Sequence, residues 1–458
     1  LVQALVLFVA IGCTQTHQSE MGWDKLESIL DEIKEPSFPD KEFNITTYGA
    51  VGDGLTDCSN AIKDAIEQCN ANGGGKVLVP EGIFLTGAIY LKSNVNLYIS
   101  DNATLKFSED KSKYLPVVFT RWEGVECMNY SALIYAYGEE NIAITGNGIL
   151  DGQGSSENWW SWKGNKDSGW MEGMQNQKKD RDLLFQLAEN NGPPEKRIFG
   201  EGHYLRPNFV QSYKCKNILI EGVTIKNSPM WFIHPVLCEN VSVKNVTVEG
   251  LGPNNDGCNP ESSRNVLIQN CFFNTGDDCI AIKSGRNTDG RRINVPSENI
   301  IIQDCSMKEG HGGVVIGSEI SGGVKNVFAE NCVMSSPNLD RAIRIKTNAV
   351  RGGLIENIFV RNISVGQVKE AVIKINFYYE EGENGSHLPI VKNLNFSNIT
   401  SEKSEYAIWI KAFNNSPVEN IRLSNCNFKN VEKENLIENV KTIVTSSVII
   451  NDKPLLIE

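Results

Sequence analysis

Four short stretches of this chain put acidic and basic side chains where chemistry could be done. They are "PNNDG" with Asp256, "GDDC" with Asp277 and Asp278, "GHGG" with His311, and "RIK" with Arg344 and Lys346. Adjacent like charges such as Asp277 and Asp278 repel, and no cation is paired with them in the local pattern. Carboxylates crowded within a few ångströms cannot all ionise freely, so at least one of their pKa values rises. One proton-holding acid beside one charged carboxylate is what hydrolysis of a glycosidic bond needs. The inverting form of that reaction sets the two ~6.5–9.5 Å apart so that a water fits between them. In "RIK", Ile343 and Ile345 alternate with Arg344 and Lys346, so a strand here sends both cations to one face. Taken singly, each stretch has an ordinary explanation: a solvated turn for "DD", an exposed strand for "RIK", a tight turn for "GHGG", a turn of stacked asparagines for "NND". Their common phase is what argues for a site.

That phase comes from a repeat. An Asn followed by alternating apolar residues recurs as "NVNLYI" (94), "NIAITG" (141), "NILIEG" (217), "NVSVKN" (240), "NVLIQN" (265), "NIIIQD" (299), "NVFAEN" (326), "NIFVRN" (357), "NLNFSN" (393) and "NIRLSN" (420). From Asn217 on, the intervals run from the low twenties to the mid thirties. Period-two runs are strands, and repeats of this length stack as a solenoid. Strand-only repeats imply an all-β parallel β-helix, each coil lying ~4.8 Å along the axis from the last. Asn at a fixed turn position tolerates positive φ and can hydrogen-bond its neighbours, so a ladder of stacked asparagines is expected. The four chemical stretches fall about one coil apart, which stacks them on one face over ~15 Å, the size of a cleft for two or three sugar units.

A solenoid needs covered ends. In "DGLTDCSNAIKDAIEQCNANGGG" (53–75), Ile62, Ala65, Ile66 and Cys69 follow helical spacing, so an N-terminal capping helix is expected, ended by Gly73–Gly75. The coils are read as one domain, 43–458, broken by an insertion at 152–210. That insertion holds Trp159, Trp160, Trp162 and Trp170 with Lys178, Lys179, Arg181, Lys196, Arg197, His203 and Arg206. It reads either as an aromatic and basic wall for an acidic sugar or as an apolar lobe packed on the coils.

The chain has 458 residues and a net charge of -12, which argues against a nucleic-acid partner and leaves a polyanionic substrate to local basic residues. "LVQALVLFVAIGC" is too short to span a bilayer and reads as the apolar part of an export signal. "AIGC" resembles a lipobox, so residues 1–20 are read as signal and tether with Cys13 lipidated, and 21–42 as an N-terminal extension. The expected location is then the periplasm or the cell surface of a bacterium. Cys271, Cys305, Cys332 and Cys426 each follow Asn or Asp at one repeat position, which suggests small buried thiols rather than disulfides. Without a CxxC pair or a His cluster, neither a metal nor another cofactor is expected. The expected state is a monomer.

With these motifs in order, "NND", "GDD", "GHG" and "RIK", the chain resembles glycoside hydrolase family 28, the polygalacturonases. "YGAVGDGLTDCSNAIKDAIEQC" and "GGGKVLVPEGIFLTGAIYLKSNVNLYI" resemble it too, and the likeness runs over about residues 43 to 430. The resemblance implies a right-handed parallel β-helix that hydrolyses pectin with inversion. It implies Asp277 as general acid, Asp256 and Asp278 as the pair activating water, and His311 as the residue governing the acid's proton. It implies Arg344 and Lys346 as holders of a galacturonate carboxylate, a role that suits a bidentate Arg and a Lys point charge. A tyrosine one coil later, Tyr378 or Tyr379, would complete the site, with Tyr378 preferred. Asn255, where endo-acting members carry Thr, and the long insertion resemble the bacterial exo-acting branch. Rival readings are a hydrolase for galacturonate links in rhamnogalacturonan or another branched pectin, a β-helix lyase, and a non-catalytic carbohydrate-binding β-helix.

Overall fold

The computed structural model describes residues 22–456. The apolar leader, Cys13 and the start of the tether lie outside them. Among the described residues no helix is long and apolar enough to cross a membrane.

The repeat winds into a right-handed parallel β-helix. Every asparagine of the recurrent phrase adopts the left-handed conformation, with φ between 54° and 63°. From Asn141 to Asn420 each Nδ2 donates to the Oδ1 of the Asn one coil earlier, at 2.9–3.4 Å, which makes an unbroken ladder starting at Asn94. The expected stack is therefore present along the whole solenoid. It fixes the register of every coil at the turn, and a slip would turn the apolar set outward. Inside, one column of the site-bearing sheet runs Ile280, Val314, Ile343, Ile373 and Ile408, all fully buried. Each such side chain contributes about 1.5–3 kcal/mol by burial. Eleven free cysteines sit buried in the described residues, consistent with the reading of thiols as small core residues.

The capping helix spans Ser59–Ala71 and presses Ala61, Ile62, Ala65, Ile66 and Cys69 onto the first coil. Gly73, Gly74 and Gly75 follow at positive φ. A second helix, Lys25–Glu32, straps the outside of the coils through Trp23, Leu26 and Ile29 against Leu267, Ile301 and Phe328.

The solenoid is interrupted in more places than the sequence suggested. Besides the excursion between Asp151 and Val210, a hairpin pairs Val118–Trp122 with Val125–Asn129 around the two-residue turn Glu123–Gly124. Positive φ at both turn residues is what a tight hairpin requires. The helix Lys178–Glu189 covers this hairpin, and Trp122, Val125, Leu184, Phe199 and Trp231 form a second small core. The hairpin is anchored on the β-helix by a buried ion pair, Arg121 to Glu261 at 3.2 Å, and Glu261 also accepts from His234 Nε2 at 2.7 Å.

Candidate active site

The sheet Ile280–Ile282, Val314–Ile316, Arg341–Lys346, Ala371–Asn376, Tyr406–Lys411 forms the wall that carries the site. Its alternation points Arg344 and Lys346 outward while Ile343 and Ile345 enter the core. The turns that lead into these strands bring Asp256, Asp277 and His311 beside them. A cavity of about 440 Å³ opens there, lined by Asp256, Asp277, His311, Arg344, Lys346 and Tyr379 among others. Asp278 lies fully buried beneath it. Six of the seven residues singled out in the sequence thus converge on one patch.

Each aspartate has its own cation. Asp277 Oδ1 lies 3.0 Å from His311 Nδ1. Asp278 Oδ2 accepts from Lys346 Nζ at 2.7 Å, with Arg344 at 3.5 Å from its other oxygen. Asp256 Oδ2 sits 3.5 Å from Lys283 Nζ. The electrostatic result is uneven. Burial, with the Asp277 charge added, pushes the Asp256 carboxyl well above the usual carboxylate range. Burial would also raise Asp277, but its bond to His311 and the charges of His311, Lys346 and Lys283 together hold it below that range. The Asp277 bond and charge push His311 up to about 9. The proton of the His311–Asp277 pair therefore rests on the imidazole.

The carboxylates stand closer than the expected gap for a bridging water. One oxygen of each of Asp256, Asp277 and Asp278 lies within 4.8 Å of the others. The cause is the fold: neighbouring coils are spaced by one strand separation, ~4.8 Å, and Asp277 and Asp278 are adjacent in sequence. Such a trio has the spacing of metal ligands, yet the ammonium groups of Lys283 and Lys346 already supply the positive charge a cation would bring.

The preference for Tyr378 is corrected. The strand ends at Asn376, Phe377 drops into the core, and the Asn376 side chain accepts from Tyr378 N. Tyr378 is left outside against Phe413, its hydroxyl on Glu383. Tyr379 swings back instead, its ring 5.5 Å from the Arg344 guanidinium and 5.2 Å from Lys346 Nζ.

The insertion does both things considered for it, with different residues. Its tryptophans pack: Trp159 is buried against Tyr114, Trp160 donates to the Ser228 carbonyl, and Trp162 lies between Tyr130 and Tyr204. Its cations reach the cavity. Arg181 lines it, bonded to Glu123 of the hairpin turn at 2.8 Å. Lys163, not singled out in the sequence, donates to Asn254 Oδ1 at 2.7 Å, as does Arg206 from behind. Arg197 is instead buried on Asp289, and half-buried His203 pairs with Asp180. Asn255 is structural, bonding the Ser228 and Met230 carbonyls and the Gly252 amide. Sequence reading also missed Glu123, Lys283 and Glu319 on the cavity wall. Lys283 had a signal, since "IAIK" repeats the alternation of "IRIK".

A parallel β-helix whose outer face gathers three paired carboxylates and an Arg–Lys pair in a sugar-sized pocket defines a carbohydrate-cleaving solenoid. The sequence model described as "Glycosyl hydrolases family 28" matches residues 199–448, and the chain belongs to that family. A second model, "Rhamnogalacturonase A/epimerase, pectate lyase-like", matches 42–110, the cap and first coils away from the site. The crystal structure of a hyperthermoactive exopolygalacturonase from Thermotoga maritima is 49% identical, covers 95% of this chain and 97% of its own, and superposes with a TM-score of 0.92. An exo-poly-alpha-D-galacturonosidase of Dickeya chrysanthemi is 30% identical over 74% of this chain and 58% of its own length. A probable polygalacturonase of Vitis vinifera is 29% identical over 83% and 73% respectively.

Proposed function

We propose that this glycoside hydrolase cleaves α-1,4-linked galacturonan from a chain end, with inversion. The observation that carries the reading is the extra wall that the hairpin and the insertion add to the pocket. An undecorated β-helix would offer an open groove along its axis. Here the hairpin turn at Glu123, Arg181 and Lys163 of the insertion, and Glu319 with Glu380 wall the carboxylates in. A wall standing beside the reacting carboxylates favours a terminus over the middle of a polymer.

Within it, Arg344 and Lys346 hold a galacturonate carboxylate against Tyr379. Asp277 protonates the glycosidic oxygen. Its proton comes from His311, because a substrate carboxylate arriving on Arg344 and Lys346 offsets the cations that depress Asp277. Asp256 and Asp278 share the task of orienting and deprotonating the attacking water. Inversion is supported by family membership and not by the carboxylate spacing, which is nearer the retaining range of about 5–5.5 Å. Digestion of trigalacturonate followed by NMR tests both points. Monogalacturonate appearing first, as the β-anomer, is expected. Rapid loss of polygalacturonate viscosity with little monomer would overturn the exo reading, and an α-anomer as first product would overturn inversion. Export with a lipid on Cys13, and action as a monomer, belong to the same proposal and rest on the sequence. Metabolic labelling with a radioactive fatty acid, lost in Cys13→Ser, and light scattering test them.

A further inference from the structure

Lys283 is 3% exposed, a buried ammonium that none of the roles above uses. It stands one residue after Ile282, which is in register with Ile316 and Ile345, so Lys283 and Lys346 occupy one outward column two coils apart. The rung between them is Gly317, at φ +113°, where a Cβ would run into the Lys346 carbonyl. The glycine leaves room for the Lys346 backbone and stem beside it. Lys346 takes Asp278. Lys283 takes Asp256 at 3.5 Å, and among the described residues it is the one cation within 4.0 Å of that carboxylate. Its other contacts fix it in place: Glu319 Oε2 at 3.1 Å, the Gly317 carbonyl at 3.5 Å, and the face of Trp231 at 4.6 Å.

We propose that Lys283, held by Glu319 and Trp231, is a positioning residue that favours the ionised form of Asp256, so that it serves as part of the base. The inference rests on the hydrolytic reading above. Its logic is charge placement. Asp256 is buried beside two other carboxylates, a setting that favours its neutral form. A neutral carboxyl cannot take a proton from water. One fixed ammonium at 3.5 Å works against that shift and lowers the cost of the charged form. The charged or titratable groups facing Lys283 are Asp256, Asp277, Asp278 and Glu319 on the acidic side and Lys346 on the basic side. His234 and its partner Glu261 lie behind Trp231. Glu319 divides Lys283 between two acids, so the two flanking variants shift the balance in opposite directions.

The test is the pH dependence of kcat/KM and kcat on trigalacturonate, with folding checked by circular dichroism. Lys283→Met should move the acidic limb to higher pH and lower kcat at least tenfold at mildly acidic pH, with KM within about twofold of wild type. Lys283→Arg should restore most of the limb's position. Glu319→Gln, which frees Lys283 for Asp256, should move the limb to lower pH. If Lys283→Met does not fold, the signed shifts of the other two variants still decide. An unmoved limb in folded Lys283→Met, a loss confined to KM, or a Glu319→Gln shift to higher pH would each overturn the proposal. An inactive wild-type protein would overturn the hydrolytic reading instead.

Discussion

Asp277→Asn tests the coupling at the centre of the site. The wild-type pair holds His311 at about 9, chiefly through the 3.0 Å bond and the charge of Asp277. The amide keeps the shape and removes the charge, so His311 should return toward the ordinary histidine value of about 6.5. At pH 7.5 its protonated fraction would fall from about 97% to about 9%. The assay is a proton–nitrogen NMR titration of the histidine rings, with the His311 signal assigned from its absence in His311→Ala. Activity should fall about 100-fold or more, the usual contribution of a positioned acid. Stability should follow the same titration. A raised folded-state pKa means that the imidazole's contribution is complete below about pH 6.5 and is lost as pH rises through about 9. The depressed Asp277 carboxyl works at the other end: its contribution is present above about pH 4 and lost as pH falls further. Taken at face value, the His311 shift is about 3 kcal/mol, but its side chain is 53% exposed and screening leaves about 1 kcal/mol. The wild-type protein should therefore lose about a degree of Tm between pH 6.5 and 9 relative to Asp277→Asn. A His311 that still titrates near 9 without the Asp277 charge would refute the account of where the acid's proton is stored.

Three other substitutions probe different parts of the argument. Lys346→Met leaves the fully buried Asp278 without its 2.7 Å partner, so it should cost about 3–5 kcal/mol in urea unfolding as well as abolishing turnover. Arg344→Lys keeps the charge but loses the fork, so KM for trigalacturonate should rise more than kcat falls. Asn299→Ala removes a rung that donates to Asn265 and accepts from Asn326, at φ +57°, and should destabilise by about 2–4 kcal/mol without changing KM.

Much of the site was legible because the solenoid converts sequence interval into spatial column. Asp256, Asp277, His311 and Arg344 are far apart in the chain, yet each sits where a coil's turn or strand meets the same sheet. Period-two alternation settled the direction of Arg344 and Lys346, and it would have settled Lys283 had "IAIK" been set beside "IRIK". Where the alternation stops, the reading stops with it. Asn376 ends its strand, and nothing in "FYYEEG" says which tyrosine returns to the pocket. The hairpin at 118–129 was missed for a similar reason. Its strands are as apolar and as short as a coil's, and only the Glu123–Gly124 turn distinguishes them. Of the two readings left open for the insertion's tryptophans, packing is the one Trp159 and Trp162 follow, against Tyr114, Tyr130 and Tyr204.

The net charge of -12 raises a further physical question: how a strongly acidic chain takes in a polyanion. The answer lies in local balance. With Asp278 included, seven carboxylates line or floor the pocket, and seven cations face them once His311 is protonated. Two of these cations, Lys163 and Arg181, come from the insertion, so the excursion that walls the pocket also neutralises it. Wall and neutrality are thus coupled in one segment. A wall without those cations would border an uncompensated acidic floor, and the substrate's own carboxylates would be repelled. Long-range attraction from the rest of the surface has the wrong sign, so added salt should screen a repulsion. Association with galacturonan should then speed up modestly as ionic strength rises from low values, the reverse of what a basic groove would show.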